Sequence, residues 1–161
     1  MKYKNYVVGN CHIYTIKTDK FRTADIEINF KSDIRKSNVT ALNLLSRLLG
    51  YTSKDYPTKR DMMIERENLY NVDCGRQLSR TGYNLFVSFN IEFLDPFYVK
   101  EKDYVENIIR FCARVLKNPD ITKGKWNEKS FAIHKQKLLM TMDSYKEKPT
   151  SYAMKKSKDI L

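Results

Sequence analysis

The order of strand-like and helix-like segments predicts an α+β domain with an antiparallel β-sheet covered on one face by helices. Three observations carry this. Ala24, Ile26, Ile28 and Phe30 alternate with Asp25, Glu27 and Asn29, the period of a half-buried antiparallel strand. Leu85, Val87, Phe89 and Ile91 repeat the same period against Phe86, Ser88 and Asn90. Between and after these runs the period changes to three-and-four, as in Ala41, Leu44, Leu45, Leu48 and Leu49.

Taken in order, Asn10 to Thr18 reads as a first strand that turns at Thr18-Asp19-Lys20, and Thr23 to Lys31 as a second, so the two are expected to form a hairpin. A helix follows from Asn38, which suits an N-cap, to Gly50, which suits the residue just past a helix end. Thr58 after Pro57 caps a second helix, with Asp61 three residues on in capping-box spacing and Met62, Met63, Arg66, Leu69 and Tyr70 continuing it. Strand character returns from Val72 to Arg80, breaks at Thr81-Gly82 and resumes from Tyr83 to Phe93 with its odd-numbered side apolar. After Asp95-Pro96 only helices are expected. One carries the stripe Val105, Ile108, Ile109, Cys112 and Leu116 and ends at Asn118-Pro119. Another, from about Trp126 to Tyr145, carries Phe131, His134, Leu138 and Met142 on one side, and Pro149-Thr150 starts a last helix. That pattern stops in mid-helix at Ile160-Leu161, so either the helix frays there or the chain is part of a larger unit.

At 161 residues the chain has the size of one domain, enough to bury roughly two thirds of its extended surface. The start lacks an apolar stretch of signal-peptide length, and no run approaches the ~18 apolar residues of a membrane span. Cys11, Cys74 and Cys112 are far apart and odd in number, which fits structural thiols in a reducing, cytoplasmic compartment better than a disulfide framework. The net charge of +11 favours acidic partners. Nucleic acid is disfavoured, because the lysines are dispersed, Lys (21) outnumbers Arg (9), and no recognition motif accompanies the charge. The densest cluster, Lys146, Lys148, Lys155, Lys156 and Lys158, suits a solvated helix face.

The segment Asn38 to Pro57, a helix followed by Gly50-Tyr51-Thr52-Ser53-Lys54-Asp55-Tyr56-Pro57, resembles the motif helix of the insulinase/pitrilysin metallopeptidases, which reads His-x-x-Glu-His before a short turn ending Tyr-Pro. The resemblance extends from Gly9-Asn10-Cys11-His12-Ile13-Tyr14, similar to the family's opening strand, through Asn118-Pro119 and the long helix after it, to Tyr152-Ala153. It implies one peptidase-like α+β domain over residues 1–161. It also implies a truncated one, since homologous halves usually continue into a further strand and helix. A sheet position left open in that way would be exposed or filled by a second chain, so self-association or a partner is expected.

Aligned on Tyr56-Pro57, the motif positions fall at Asn43, Ser46 and Arg47. None of them fits the chemistry. The family's imidazoles bind zinc while its Glu activates the metal-bound water. Arg is permanently protonated and repels a dication, and Ser is no base near neutral pH. The family's second Glu, on the long helix, also has no counterpart between Phe131 and Met142; Asp143 is the nearest carboxylate. The two histidines, His12 and His134, show no ligand spacing. No catalytic residue, no metal and no cofactor are therefore expected, with zinc reserved for an active partner.

Active family members take peptides in extended form as an added strand on the sheet edge after the second helix. That edge resembles Asp73-Cys74-Gly75-Arg76-Gln77-Leu78-Ser79 here. An unpaired edge satisfies peptide backbone irrespective of sequence, Gly75 leaves room, and Arg76 suits an acidic partner. The alternative is an edge guarded by Arg76 and Arg80. The resemblance implies a non-catalytic half that forms a chamber with a homologous zinc-bearing subunit or domain and binds extended peptides, or a homo-oligomer. Two other readings stand beside it: an active zinc-dependent peptidase with an atypical metal site, and a basic nucleic-acid-binding module.

Overall fold

The computed structural model describes residues 3–147 and 149–160. The side chains of Lys146, Lys148, Lys155, Lys156, Lys158 and Ile160, and Leu161 as a whole, lie outside the described residues, so the expectations placed on them are not taken further.

The chain is α+β, and its main sheet is antiparallel. The strands are β1 (Tyr3–Val8), β2 (Cys11–Ile16), β3 (Thr23–Asp33), β4 (Asp73–Thr81), β5 (Asn84–Leu94), β6 (Ile121–Thr122) and β7 (Lys125–Trp126). The helices are α1 (Val39–Leu48), α2 (Lys59–Asn68), α3 (Tyr104–Lys117), α4 (Glu128–Glu147) and α5 (Pro149–Ile160). β5 lies between β3 and β4, which leaves β4 at an edge of this three-stranded sheet.

The expected hairpin between the first two strand-like runs does not form. β2 pairs instead with β1, through a turn at Gly9 with φ 59°, and β3 pairs with β5 in the register Ile26↔Ile91 and Ile28↔Phe89. Burial explains the choice. Pairing with β5 places the apolar side of β3 on the helix-covered face, next to Phe89 and Ile91, which are both fully buried. Every residue of β1 and β2 is exposed, so β2 offers β3 no buried stripe to join. Cys11, expected to be buried, is exposed with them, whereas Cys112 is buried.

The odd-numbered side of β5, Leu85 to Phe93, is buried throughout, as its alternation predicts. α3 presents Tyr104, Ile108, Phe111, Cys112 and Val115 to this face. That corrects the expected stripe: Val105 and Ile109 are exposed, because the larger rings of Tyr104 and Phe111 draw the helix round by part of a turn. Among the described side chains of α4, Ser130, His134 and Leu138 are buried, while Phe131 and Met142 face outward. The segment after Asn118-Pro119, expected to be wholly helical, includes the small β6–β7 hairpin, in which Lys123 and Gly124 both take positive φ.

Local signals fix the two helices that frame the candidate site. Thr58 Oγ1 accepts from the Asp61 N–H at 3.1 Å, and Asp61 Oδ2 accepts from the Thr58 N–H at 3.0 Å, closing the capping box of α2. Gly50 follows α1 with φ 73°, a conformation an L side chain resists. A Cβ there would stand 2.6 Å from Phe89 Cε2, so Gly50 also lets the end of α1 close onto the core.

Candidate functional site

Asn43, Ser46 and Arg47 lie together on α1 and are committed to one another. Arg47 Nε donates to Asn43 Oδ1 at 3.0 Å, and Ser46 Oγ donates to the Asn43 carbonyl at 2.8 Å. Ser46 is buried, so its hydroxyl spends its hydrogen on its own helix. A dication at this place would meet a guanidinium, an amide oxygen already accepting from it, and a hydroxyl facing a backbone oxygen. The donor set does not fit zinc. Among the described residues no group of three or more His, Cys, Asp or Glu side chains is placed to hold a metal ion.

The loop after α1 is pinned to a distant turn. Ser53 N–H donates to the Tyr56 carbonyl at 3.0 Å, Lys54 N–H donates to the Asn118 carbonyl at 2.8 Å, and Asn118 Nδ2 donates to Asp55 Oδ2 at 2.9 Å. Thr52 Oγ1 donates to Asp120 Oδ2 at 3.3 Å. The Tyr56-Pro57 and Asn118-Pro119 signals, 62 residues apart in each pairing, thus form one structural joint. It holds the C-terminal end of α1 against the start of the segment leading to α4.

β4 carries all seven residues from Asp73 to Ser79. Its register with β5 pairs Cys74, Arg76 and Leu78 with Ile91, Phe89 and Val87, so these three share the helix-covered face. Asp73, Gly75, Gln77 and Ser79 occupy the other face. Asp73 stands at the strand's beginning, where Arg66 Nη2 donates to its Oδ1 at 2.7 Å. Near it Tyr70, Asn71, Glu92 and Leu94 help line a shallow cleft of about 350 Å³. At Gly75 an added Cβ would make only ordinary contact with Asn90 Cβ, at 3.7 Å, on the open face. Burial raises the Cys74 thiol to about 11, which leaves it protonated and unreactive near neutral pH.

Arg76 turns toward α1 instead of out from the edge. Its Nη1 donates to the Arg47 carbonyl at 3.2 Å and to the Leu49 carbonyl at 3.3 Å, two of the carbonyls a helix leaves unpaired at its C-terminus. Part of the residue stays exposed, yet desolvation at the helix end is the main cause that lowers its pKa from the ordinary guanidinium value, with Arg66 adding to it. The group remains a cation.

His134 of α4, read from sequence as a packed histidine, completes the cluster. It is buried, its ring meets Tyr51 edge-on at a centroid separation of 4.4 Å, and its Nε2 has no hydrogen-bond partner. Burial lowers its pKa, and the charges of Arg76, Lys137 and Arg47 lower it further. The charges of Arg47 on α1, Arg76 on β4 and Lys137 on α4 thus all act on one buried imidazole. The sequence marks Arg47, Arg76 and His134 singly but does not join them, because only the packing of α1 against β4 and α4 relates them, and Lys137 carries no local signal.

No protein-family model matches the chain. It is 20% identical over 146 residues, 90% of its length, to a Bacillus subtilis (strain 168) protein described as probable inactive metalloprotease YmfF, of which it covers 34%. Its fold is similar to that of a conserved protein from Enterococcus faecalis V583, with a TM-score of 0.85 and 21% identity, covering 89% of this chain and 34% of that one. The chain thus spans about a third of the length of each of these two proteins and matches both over most of its own.

Proposed function

We propose that this chain is a catalytically silent, insulinase/pitrilysin-like peptidase domain, which pairs with a homologous zinc-bearing domain or subunit and receives extended peptide along β4. The observation that carries the reading is the mutual hydrogen bonding of Asn43 and Arg47 on α1 beside a sheet whose edge strand, β4, has no second strand partner among the described residues. The likeness to a protein described as a probable inactive metalloprotease supports the silent half of the proposal.

An unpaired edge presents backbone N–H and C=O groups outward, and an extended peptide satisfies them whatever its side chains. The exposed apolar residues Tyr3, Tyr6, Val7, Ile13, Tyr14 and Ile16 of the β1–β2 hairpin support the existence of a protein partner. A two-stranded hairpin with so much apolar surface in water gains stability when another surface covers it.

The test is anisotropy of a fluorescent, strand-forming peptide titrated with the purified chain, repeated with a peptide N-methylated at alternate residues. Binding that N-methylation abolishes is the expected result, because the methyl groups remove backbone donors. Equal binding by both peptides would overturn strand addition, and chelator-sensitive cleavage by the isolated chain would overturn the silent assignment.

A further inference from the structure

We propose that the edge formed by β4 selects an acidic peptide, with the carboxylate of one Asp or Glu held by Arg47 and Arg76. This rests on the reading of β4 as a peptide-accepting edge, and it adds which side chain that peptide must carry and where.

An added strand would lie about 4.8 Å from β4, with alternate side chains on the helix-covered face that Cys74, Arg76 and Leu78 share. The peptide residue beside Arg76 on that face points toward the C-terminal end of α1. Arg76 bonds the carbonyl of Arg47 there, and both residues keep guanidinium donors to spare. Arg47 uses Nε on Asn43, and Arg76 uses Nη1 on the carbonyls of Arg47 and Leu49. Arg47 Nη1 and Nη2, and Arg76 Nε and Nη2, enter no hydrogen bond among the described residues. A guanidinium presents its remaining N–H groups in a fork that matches a carboxylate, and such charge-assisted bonds are the strong ones.

Among the described residues no carboxylate is ion-paired with Arg47 or Arg76. The ion pairs Arg35–Asp33, Arg66–Asp73 and Arg110–Glu106 leave both guanidinium groups out. Arg76, Lys137 and Arg47 all disfavour a proton on the buried His134, whose Nε2 has no hydrogen-bond partner. Cations crowded together without an anion repel one another, and a carboxylate arriving on a peptide relieves that repulsion. A cation or an uncharged amide at the same peptide position does not.

The experiment compares three labelled strand-forming peptides that differ at one central residue, Glu, Gln or Lys, against the unmodified chain and against the Arg47→Glu and Arg76→Gln variants, each checked for folding by circular dichroism. The Glu peptide is expected to bind best, with about a tenfold loss for Gln and a larger loss for Lys. Arg47→Glu should reverse the order in favour of Lys, a change that partial unfolding would not produce. Equal binding of all three peptides, still abolished by backbone N-methylation, would overturn the acidic selectivity while leaving strand addition intact. Failure of every peptide to bind would overturn both.

Discussion

Arg47 Nε and Asn43 Oδ1 stand 3.0 Å apart, one turn from each other on α1. That hydrogen bond occupies the amide oxygen with a guanidinium, which repels a dication. The charge of Arg47 is held in place by the neighbouring amide, and Arg76 reaches over from β4 to fasten the same helix end. A helix C-terminus carries partial negative charge, so it tolerates two guanidinium groups that would otherwise repel.

Arg76→Ala removes the donor shared by the carbonyls of Arg47 and Leu49 and should destabilise the fold by about 1 kcal/mol, because the solvent that reaches the rest of the side chain discounts the gain from charge. Urea denaturation measures this. An unchanged midpoint would show that these contacts contribute nothing to holding α1 on β4.

Gly50→Ala should cost more. The residue sits at φ 73°, and the new Cβ would stand 2.6 Å from Cε2 of Phe89, a ring with no exposed surface. Backbone strain and overpacking together predict a loss of about 2–4 kcal/mol. Gly82→Ala provides the control, since Gly82 has φ 60° but nothing within 4 Å of an added Cβ, and should lose only the backbone share, about 1–2 kcal/mol. Equal midpoint shifts for the two variants would contradict the contact with Phe89.

His134 predicts a pH dependence. Its pKa in the folded chain lies below the ordinary 6.5, chiefly through burial and then through Arg76, Lys137 and Arg47, so the unfolded chain binds the proton more readily. The contribution of His134 to stability is then fully present above pH 6.5 and is lost as the pH falls from there through the folded-state value. Denaturation midpoints measured across that window should decline in the unmodified chain and decline less in His134→Leu. Parallel declines would assign the acid sensitivity to other groups.

Much of this architecture is legible in the residues. The alternation in β5 and the Thr58-Asp61 box on α2 act locally, and both appear where periodicity and spacing put them. Pairing is a different matter. Ile26 opposite Ile91 is a choice between partners 65 residues apart, settled by which pairing buries the apolar side, and β2 looks equally eligible until its full exposure is known. The stripe on α3 is legible only to within part of a turn, because Tyr104 and Phe111 outweigh Val105 and Ile109 once the sheet supplies a surface to pack on. At the candidate site, Asn43, Ser46 and Arg47 are readable as a set, whereas the approach of Arg76 and His134 depends on the packing of α1 against β4 and α4.

The central claim is that α1 holds no metal and performs no hydrolysis. Its most direct measurement is elemental analysis of the purified chain after dialysis against zinc, paired with a peptide-cleavage assay with and without chelator. The account predicts substoichiometric zinc that Asn43→Ala leaves unchanged, and no chelator-sensitive cleavage. One zinc per chain, lost on substitution of Asn43 and accompanied by cleavage that chelator abolishes, would contradict it.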